Sequence, residues 1–341
     1  MLRLTIDEKY IKRCLELAKF GAGSVSPNPM VGSVVVHNNC IIGEGWHQKY
    51  GEAHAEVNAI NSVKDKSLLE SSTIYVSLEP CFHFGQTPPC VDLILKHKIP
   101  KVIIASIDFN SKVAGKSIEK LRTAGVHVEV GVLEKEALAL NKYFFTSIQK
   151  QRPYIILKWA ESKDGYFAPH KGQQWLSNPF TKRLTHKWRN EIDAILIGKN
   201  TLIEDNPALT DRFWEGHQPI KVIIDPSGEL YKGIDDTKTI IFNGKHSDSR
   251  KNIEYIQIQG KPFSVHEMMN HLHRRKITSV LVEGGAATIQ HFLKEQLWDE
   301  AYIYETEVYL KEGIPSPKID IFSDHTTIQI ADNRLKIVQK A

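Results

Sequence analysis

Cys81 and Cys90 bracket the stretch "EPCFHFGQTPPC", residues 79 to 90, and His83 lies between them. Two thiolates and an imidazole suit a zinc ion that activates water, because such sites take about three protein ligands and keep one position open. Two histidines offer themselves as the third ligand, His83 within the stretch and His54 upstream. A hydrolytic centre also needs a carboxylate that moves protons without binding the metal, and Glu56 stands two residues after His54 at the start of a helical pattern. A helix opening at Cys90 favours its thiolate through the helix dipole. Singly, each residue has an ordinary explanation: a capped histidine, a helix-start glutamate, two buried inert cysteines. Their order along the chain is what points to a site.

A second junction with chemical potential is "LVEGGAATIQHFL", in which a strand turns on Gly284 and Gly285 into a helix. Glycines there let a phosphate reach the backbone N–H groups at a helix start. A plain tight turn explains the pair equally well, and the G-x-G-x-x-G spacing of a Rossmann site is missing.

The elements that must carry these residues alternate along the chain. Ile11, Cys14, Leu15 and Ala18 follow the spacing of one buried helix face. "VGSVVV" and "CIIGEGW" flank Asn38 and Asn39, the pattern of a hairpin. A helix at "EAHAEVNAINSV", a strand at "TIYVSL", a helix at "PPCVDLILKH" with Pro89 near its first turn, and the run "KVIIASI", "KSIEKLRTAG", "VHVEVGV" follow. This order predicts a mixed sheet covered by helices on both faces. A new start near Pro153, with strands at "YIILKWA", "AILIG", "IKVIID", "TIIF", "SVLVEGG" and "EAYIYETEVYL", predicts two α/β domains, 1–148 and 149–341.

Composition narrows the class. The chain has 341 residues, 41% hydrophobic and 25% charged, which excludes disordered and fibrous proteins. A net charge of +4 without a dense basic run does not indicate a nucleic-acid surface. All four cysteines lie in the first 90 residues, which is no disulfide scaffold. The first residues, "MLRLTIDEKYIKRCLEL", lack an unbroken apolar stretch, and no segment approaches the ~18 apolar residues of a membrane span. A cytoplasmic protein with neither membrane nor nucleic-acid partner is expected.

His-x-Glu followed by Pro-Cys and a later Cys resembles the signature of zinc-dependent nucleobase deaminases. That resemblance makes His54, Cys81 and Cys90 the zinc ligands, gives Glu56 the proton shuttle and leaves His83 to line the substrate pocket. Eight residues separate the cysteines here, where Cys-x-x-Cys is usual. With "SPNPMVGSVVV", "HAEVNAI" and "VAGKSIEKLRTAGVHVEVGVLEKEA", the chain resembles the bifunctional riboflavin-biosynthesis deaminase/reductase family. The resemblance implies a cytidine-deaminase-like first domain with Asn28 against the base. It continues through "LKWAESKDG", "QWLSNP" and "HKWRNEIDAILIGKNTLIEDNPALTDR", implying a dihydrofolate-reductase-like second domain that uses NADPH.

The implied cofactor contacts are Ala160, Trp175, Thr201, Asp205 and the segment Gly285, Ala286, Ala287, Thr288, Ile289, Gln290 and His291. The implied substrate contacts are Gln173, Arg189, Leu209, Arg212 and Glu283. Arg189 and Arg212 can grip a ribose phosphate by charge-assisted forks. Lys158 and Asp205 are the titratable candidates beside the transferred hydride, one to protonate or polarise the sugar oxygen and the other to orient it. A simple ion pair between them is the alternative. Trp175 packs on the cofactor or is an ordinary core tryptophan.

The sequence departs from the family at Phe109 and Ser111, at Gln173, where serine is usual, and at Pro226. The expected activity is hydrolytic deamination of 2,5-diamino-6-(5-phosphoribosylamino)pyrimidin-4(3H)-one, then NADPH-dependent reduction of its ribosyl chain, in an enzyme expected to be a homo-oligomer. A base-editing deaminase with an RNA-binding second half is the rival reading. It requires a basic stripe with interleaved aromatics in the second half, and the sequence has none.

Overall fold

The computed structural model describes residues 4–82, 88–109, 114–172, 174–214, 216–230, 237–260, 263–319 and 325–340. His83, Ser111 and Gln173 lie outside the described residues. The chain divides into two compact units, Met1–Lys150 and Gln151–Ala341.

The first unit opens with α1 (Ile6–Ala18), whose N-cap Thr5 forms a reciprocal capping box with Glu8. Strands β1 (Gly32–His37) and β2 (Cys40–Trp46) form the expected hairpin. Asn38 and Asn39 take φ of 48° and 60°, the left-handed pair that a two-residue turn between twisted strands requires. Then come α2 (Ala55–Ser62), β3 (Thr73–Val76), α3 (Cys90–Lys96), β4 (Lys101–Ile104), α4 (Lys116–Thr123), β5 (His127–Val130), α5 (Glu134–Leu140) and α6 (Lys142–Lys150). The sheet order is β2-β1-β3-β4-β5, with the hairpin and the β1/β3 pair antiparallel and β3, β4 and β5 parallel.

Alternation along these strands sorts the side chains into two cores. Val34, Val36, Tyr75 and Ile103 meet Ile11, Cys14, Leu15 and Leu17 of α1. Val35, Ile74, Val76, Val102 and Ile104 meet Ala59 and Ile60 of α2, Val91 and Ile94 of α3, and Ile118 and Leu121 of α4. The helix carrying His54 and Glu56 lies close on β2: a methyl group on Gly45 would come within 2.3 Å of the Ala59 nitrogen, and one on Gly43 within 2.5 Å of the Ala59 oxygen. Bare backbone in "GEG" therefore lets α2 settle against the sheet.

The second unit runs β6 (Tyr154–Glu161), β7 (Tyr166–Ala168), α7 (Pro179–Glu191), β8 (Ala194–Gly198), α8 (Lys199–Asp205), β9 (Ile220–Asp225), β10 (Thr239–Asn243), β11 (Asp248–Arg250) and β12 (Ile253–Gln257). It continues with α9 (Val265–Arg274), β13 (Ser279–Val282), α10 (Ala286–Lys294), β14 (Glu300–Glu305), β15 (Ile314–Pro315), β16 (His325–Ile330) and β17 (Asn333–Gln339). Ten strands form one sheet, ordered β11-β12-β10-β9-β8-β13-β6-β14-β17-β16. From β12 to β14 all pairs are parallel, and β11, β17 and β16 add antiparallel edges.

Each expected strand of this half forms, with two corrections of length: "SVLVEGG" is strand only over Ser279–Val282. "EAYIYETEVYL" is strand only over Glu300–Glu305. Thr306 ends it by bonding back to the Glu161 carbonyl, and the Val308 carbonyl accepts from Lys163.

Candidate active sites

Two connections of the first unit, β2–α2–β3 and β3–α3–β4, converge on one donor cluster. His54 is the N-cap residue of α2 but makes no side-chain capping bond. Its Nδ1 faces two sulfurs instead, 3.5 Å from Cys81 Sγ and 3.3 Å from Cys90 Sγ, and the three donor atoms lie within 4.8 Å of one another. Tetrahedral zinc, with bonds of ~2.3 Å to sulfur and ~2.0 Å to nitrogen, spaces S and N by about 3.6 Å. The donors fit that ion.

The electrostatics agree. The Cys90 backbone N–H donates to Cys81 Sγ at 3.1 Å. The Cys90 thiol also bonds to Cys81, which holds Cys81 down to about 4 and drives Cys90 well above the ordinary thiol range, with burial raising Cys90 further. Neighbouring thiolates repel in a buried place unless a cation lies between them, and a zinc ion removes that conflict.

Glu56, in the first turn of α2, is 3% exposed. Burial, aided by the Cys81 charge, pushes its carboxyl up to about 7. It contacts Cys90 through a hydrogen bond. A carboxyl that exchanges its proton near neutral pH suits general acid–base work.

Asn28 joins this site through a residue that the sequence reading passed over. His47, 2% exposed, packs edge-on against His54 with ring centroids 5.4 Å apart. Its Nδ1 lies 3.1 Å from the Ala53 carbonyl and its Nε2 lies 3.2 Å from Asn28 Nδ2. A carbonyl only accepts, so Nδ1 holds the proton, Nε2 accepts, and the Asn28 amide must point its NH2 at His47. The signal was the buried-type histidine directly after "GEGW", seven residues before His54.

Glu79, 4% exposed, accepts from the N–H groups of Asp108 (3.3 Å) and Gly115 (3.0 Å) and from the Ser117 hydroxyl. It thereby ties the strand end that leads to Cys81 to the segment containing Phe109.

In the second unit, β6, β13 and α7 bring Lys158, Glu283 and Arg189 together. Val282 pairs with Leu157, so Glu283, one residue past β13, runs beside Lys158. Arg189 gives Glu283 two bonds of 2.7 Å and a third, of 3.2 Å, to the Thr210 carbonyl. Burial acts to raise Glu283, but the Arg189 and Lys158 charges outweigh it and hold the carboxyl at about 2. Burial lowers the Lys158 ammonium from the usual lysine range, with Glu283 opposing and Arg189 reinforcing. A buried lysine with a lowered pKa gives up a proton more readily than a free one.

The expected cofactor residues divide. Gly285, with φ of 65°, caps α10, and a methyl group there would come within 3.1 Å of Thr201 Oγ1. Thr288 Oγ1 in turn lies where a methyl group on Gly198, at the start of α8, would sit. The helix starts after β8 and β13 thus face each other at the carboxyl ends of parallel strands, where dinucleotides bind in such sheets, and Ala160 lies near the end of the neighbouring strand β6. Ala286, Ala287 and His291 share α10, whereas Ile289 is fully buried in the core and Gln290 is exposed. Trp175 is 74% exposed, with the Lys182 ammonium 5.7 Å from its ring centre, so it is not a core tryptophan. Asp205, the last residue of α8, is exposed, and the charges acting on Lys158 are those of Glu283 and Arg189. Leu209 is 2% exposed at φ of 51°, and Arg212 is exposed. Beside Pro226, Asp225 accepts from Ser227 Oγ (2.7 Å) and from the N–H groups of Glu229 (2.7 Å) and Leu230 (2.9 Å), and so builds its own turn.

Residues 4–106 match the cytidine and deoxycytidylate deaminase zinc-binding region, and residues 153–306 match the RibD C-terminal domain. The class is therefore a zinc deaminase joined to a reductase. Riboflavin biosynthesis protein RibD of Aquifex aeolicus is 37% identical over 341 aligned positions, 97% of this chain and 95% of that protein. RibD of Bacillus amyloliquefaciens is 39% identical over 88% of this chain and 84% of its own length. A Thermotoga maritima structure described as a diaminohydroxyphosphoribosylaminopyrimidine deaminase/5-amino-6-(5-phosphoribosylamino)uracil reductase superposes with a TM-score of 0.89 at 34% identity, covering 98% of this chain and 99% of that one. The chain belongs to the RibD family of bifunctional deaminase/reductases of riboflavin biosynthesis. Its deaminase is zinc-dependent and its reductase uses NADPH.

Proposed function

We propose that the first unit removes the 2-amino group of 2,5-diamino-6-(5-phosphoribosylamino)pyrimidin-4(3H)-one as ammonia. The second unit then reduces the ribosyl chain to give 5-amino-6-(5-phosphoribitylamino)uracil. The observation that carries this reading is the His54, Cys81 and Cys90 donor cluster with buried Glu56 against it. Zinc, when held by those three residues, supplies a Lewis acid and an acidified water. Glu56 takes a proton from the water and delivers it to the leaving amine, a role suited to its raised pKa. Asn28, oriented by His47, presents hydrogen bonds to the base edge, and His83 is proposed as a second substrate contact.

In the second unit NADPH supplies the hydride. The glycine turn at Gly285, with Thr201 and Thr288, receives the cofactor phosphates, and Trp175 and Asp205 border the cofactor. Lys158 gives the proton to the sugar oxygen. Arg189 is largely committed to Glu283, so that pair offers the sugar a fixed set of donors and acceptors, while Arg212 meets the phosphate. Gln173, where the family usually has serine, is proposed as a further substrate contact.

The two zinc-facing thiols need a reducing compartment, which supports a cytoplasmic enzyme. Among the described residues no helix is long and apolar enough to cross a membrane. Exposed Phe180 supplies apolar surface for the proposed homo-oligomer.

Purified protein supplied with the diaminopyrimidine substrate tests the scheme when ammonia and NADPH oxidation are followed separately. Ammonia forms without NADPH, and NADPH is consumed only after deamination. Ammonia with no later oxidation would overturn the two-step assignment.

A further inference from the structure

Arg212 projects from an irregular segment after α8, yet the backbone that carries it is tightly held. Asp211, 5% exposed, accepts from the N–H groups of Phe213 (2.9 Å) and Trp214 (3.2 Å) and from the Asn190 amide (3.1 Å). Gln218 brackets Asp211, accepting from its N–H at 2.9 Å and donating to its carbonyl at 3.0 Å. The bond that fixes Arg212 itself comes from α7: its backbone N–H donates to His186 Nδ1 at 3.1 Å.

A backbone N–H only donates, so His186 Nδ1 carries a lone pair and the ring proton sits on Nε2. Burial and the neighbouring Arg189 and Arg212 charges push its pKa down to about 4, which keeps the ring neutral in the working range. The ring meets Phe213 edge-on with centroids 4.5 Å apart. At 2% exposure it has almost no surface for a ligand. His186 and Arg189 are three residues apart on α7 and so lie on one helix face.

We infer that His186 is a positioning residue of the reductase site, which aims Arg212 at the substrate phosphate by accepting the Arg212 N–H and so references both arginines to one turn of α7. The inference rests on the reading of Arg212 as the phosphate contact. A residue that acts only by aiming a binding group affects uniform binding, so the loss falls on KM and not on kcat.

The test uses the full zinc-loaded chain, NADPH and the deaminated phosphoribosyl substrate. His186→Leu raises KM about fivefold to tenfold, the size of one neutral hydrogen bond, and leaves kcat within about twofold. His186→Asn, whose Oδ1 stands where Nδ1 was, restores KM. His186→Gln, whose amide reaches the Nε2 position, does not. In an Arg212→Ala background His186→Leu adds nothing, and with the dephosphorylated substrate it has no effect. Ammonia release stays at the wild-type rate in all His186 variants, which reports a folded first unit, and the retained kcat for NADPH oxidation reports a folded second one.

Arg212→Ala without an effect on KM overturns the phosphate reading itself. Arg212→Ala that raises KM while His186→Leu does not, or does so by its full factor in the double variant, overturns the role of His186. A loss confined to kcat or to thermal stability does the same.

Discussion

Glu283 receives Arg189 through two parallel bonds of 2.7 Å, from Nε and Nη2, and both side chains are more than four-fifths buried, at 7% and 13% exposure. A paired fork of this kind fixes direction as well as charge. It also commits most of the Arg189 donors to the protein, which is why Arg212 is the proposed phosphate contact. Lys158 is the third charge of this cluster, which the proposed function places at the reductase site.

The pairing makes stability depend on pH in a definite sense. The Glu283 carboxyl falls from 4.5 to about 2 on folding. A depressed carboxyl stabilises the fold above its unfolded value, and that contribution disappears as the pH falls from about 4.5 to about 2. The shift corresponds to something on the order of 3 kcal/mol at neutral pH. Glu283→Gln therefore unfolds at lower urea concentration than wild type at pH 7, and the gap narrows below pH 4. A gap that is constant with pH counts against this account.

Zinc should be separable from the reductase. Cys90→Ser, or prolonged treatment with a strong chelator, abolishes ammonia release. NADPH oxidation with pre-deaminated substrate continues at the wild-type rate. Metal analysis should find bound zinc lost in Cys90→Ser and retained in a variant outside the cluster, such as Cys40→Ser. Bound zinc that survives loss of Cys90 would contradict the ligand set.

Glu56→Gln should keep the metal and lose the reaction. Amide for carboxyl preserves size in a buried place but cannot carry the proton, so kcat for deamination drops by about 10²–10⁴. Zinc content measured on the same sample separates this outcome from a collapsed site. Retained deamination at more than a tenth of the wild-type rate would sink the assignment.

Lys158→Met removes the candidate proton donor while keeping the buried length of the side chain. The expected result is a fall in kcat for NADPH oxidation of about 10²-fold or more, with unchanged ammonia release. NADPH binding, followed by quenching of intrinsic fluorescence, should persist. If NADPH binding disappears with turnover, Lys158 belongs to the cofactor site and not to the chemistry.

The sequence carried much of this by local pattern. The spacing of Ile11, Cys14, Leu15 and Ala18 marked a buried face, and all four are buried. Asn38 and Asn39 marked a hairpin because few residues take their positive φ. His54, Cys81 and Cys90 were legible as a set because metal chemistry restricts the residue types, and the chain order of a known signature supplied the rest. Less visible were the antiparallel edges β11 and β16, in which no residue is buried, so neither strand carries the in-and-out alternation that one packed face imposes.

What a single sequence determines is which groups a segment buries and which chemistry its residue types can do. Partners belong to the fold. His47 looks like any histidine until the Ala53 carbonyl fixes its proton and, through it, the direction of Asn28. Trp175 fits a core or a cofactor equally well by type, and packing alone turned it outward. Arg189 and Arg212 seemed interchangeable phosphate ligands, but Glu283 captures the first, and His186 holds the backbone of the second. Side-chain chemistry is local, whereas the buried groups that compete for each donor arrive from strands and helices far away in the chain. Only the tertiary structure decides which of them wins.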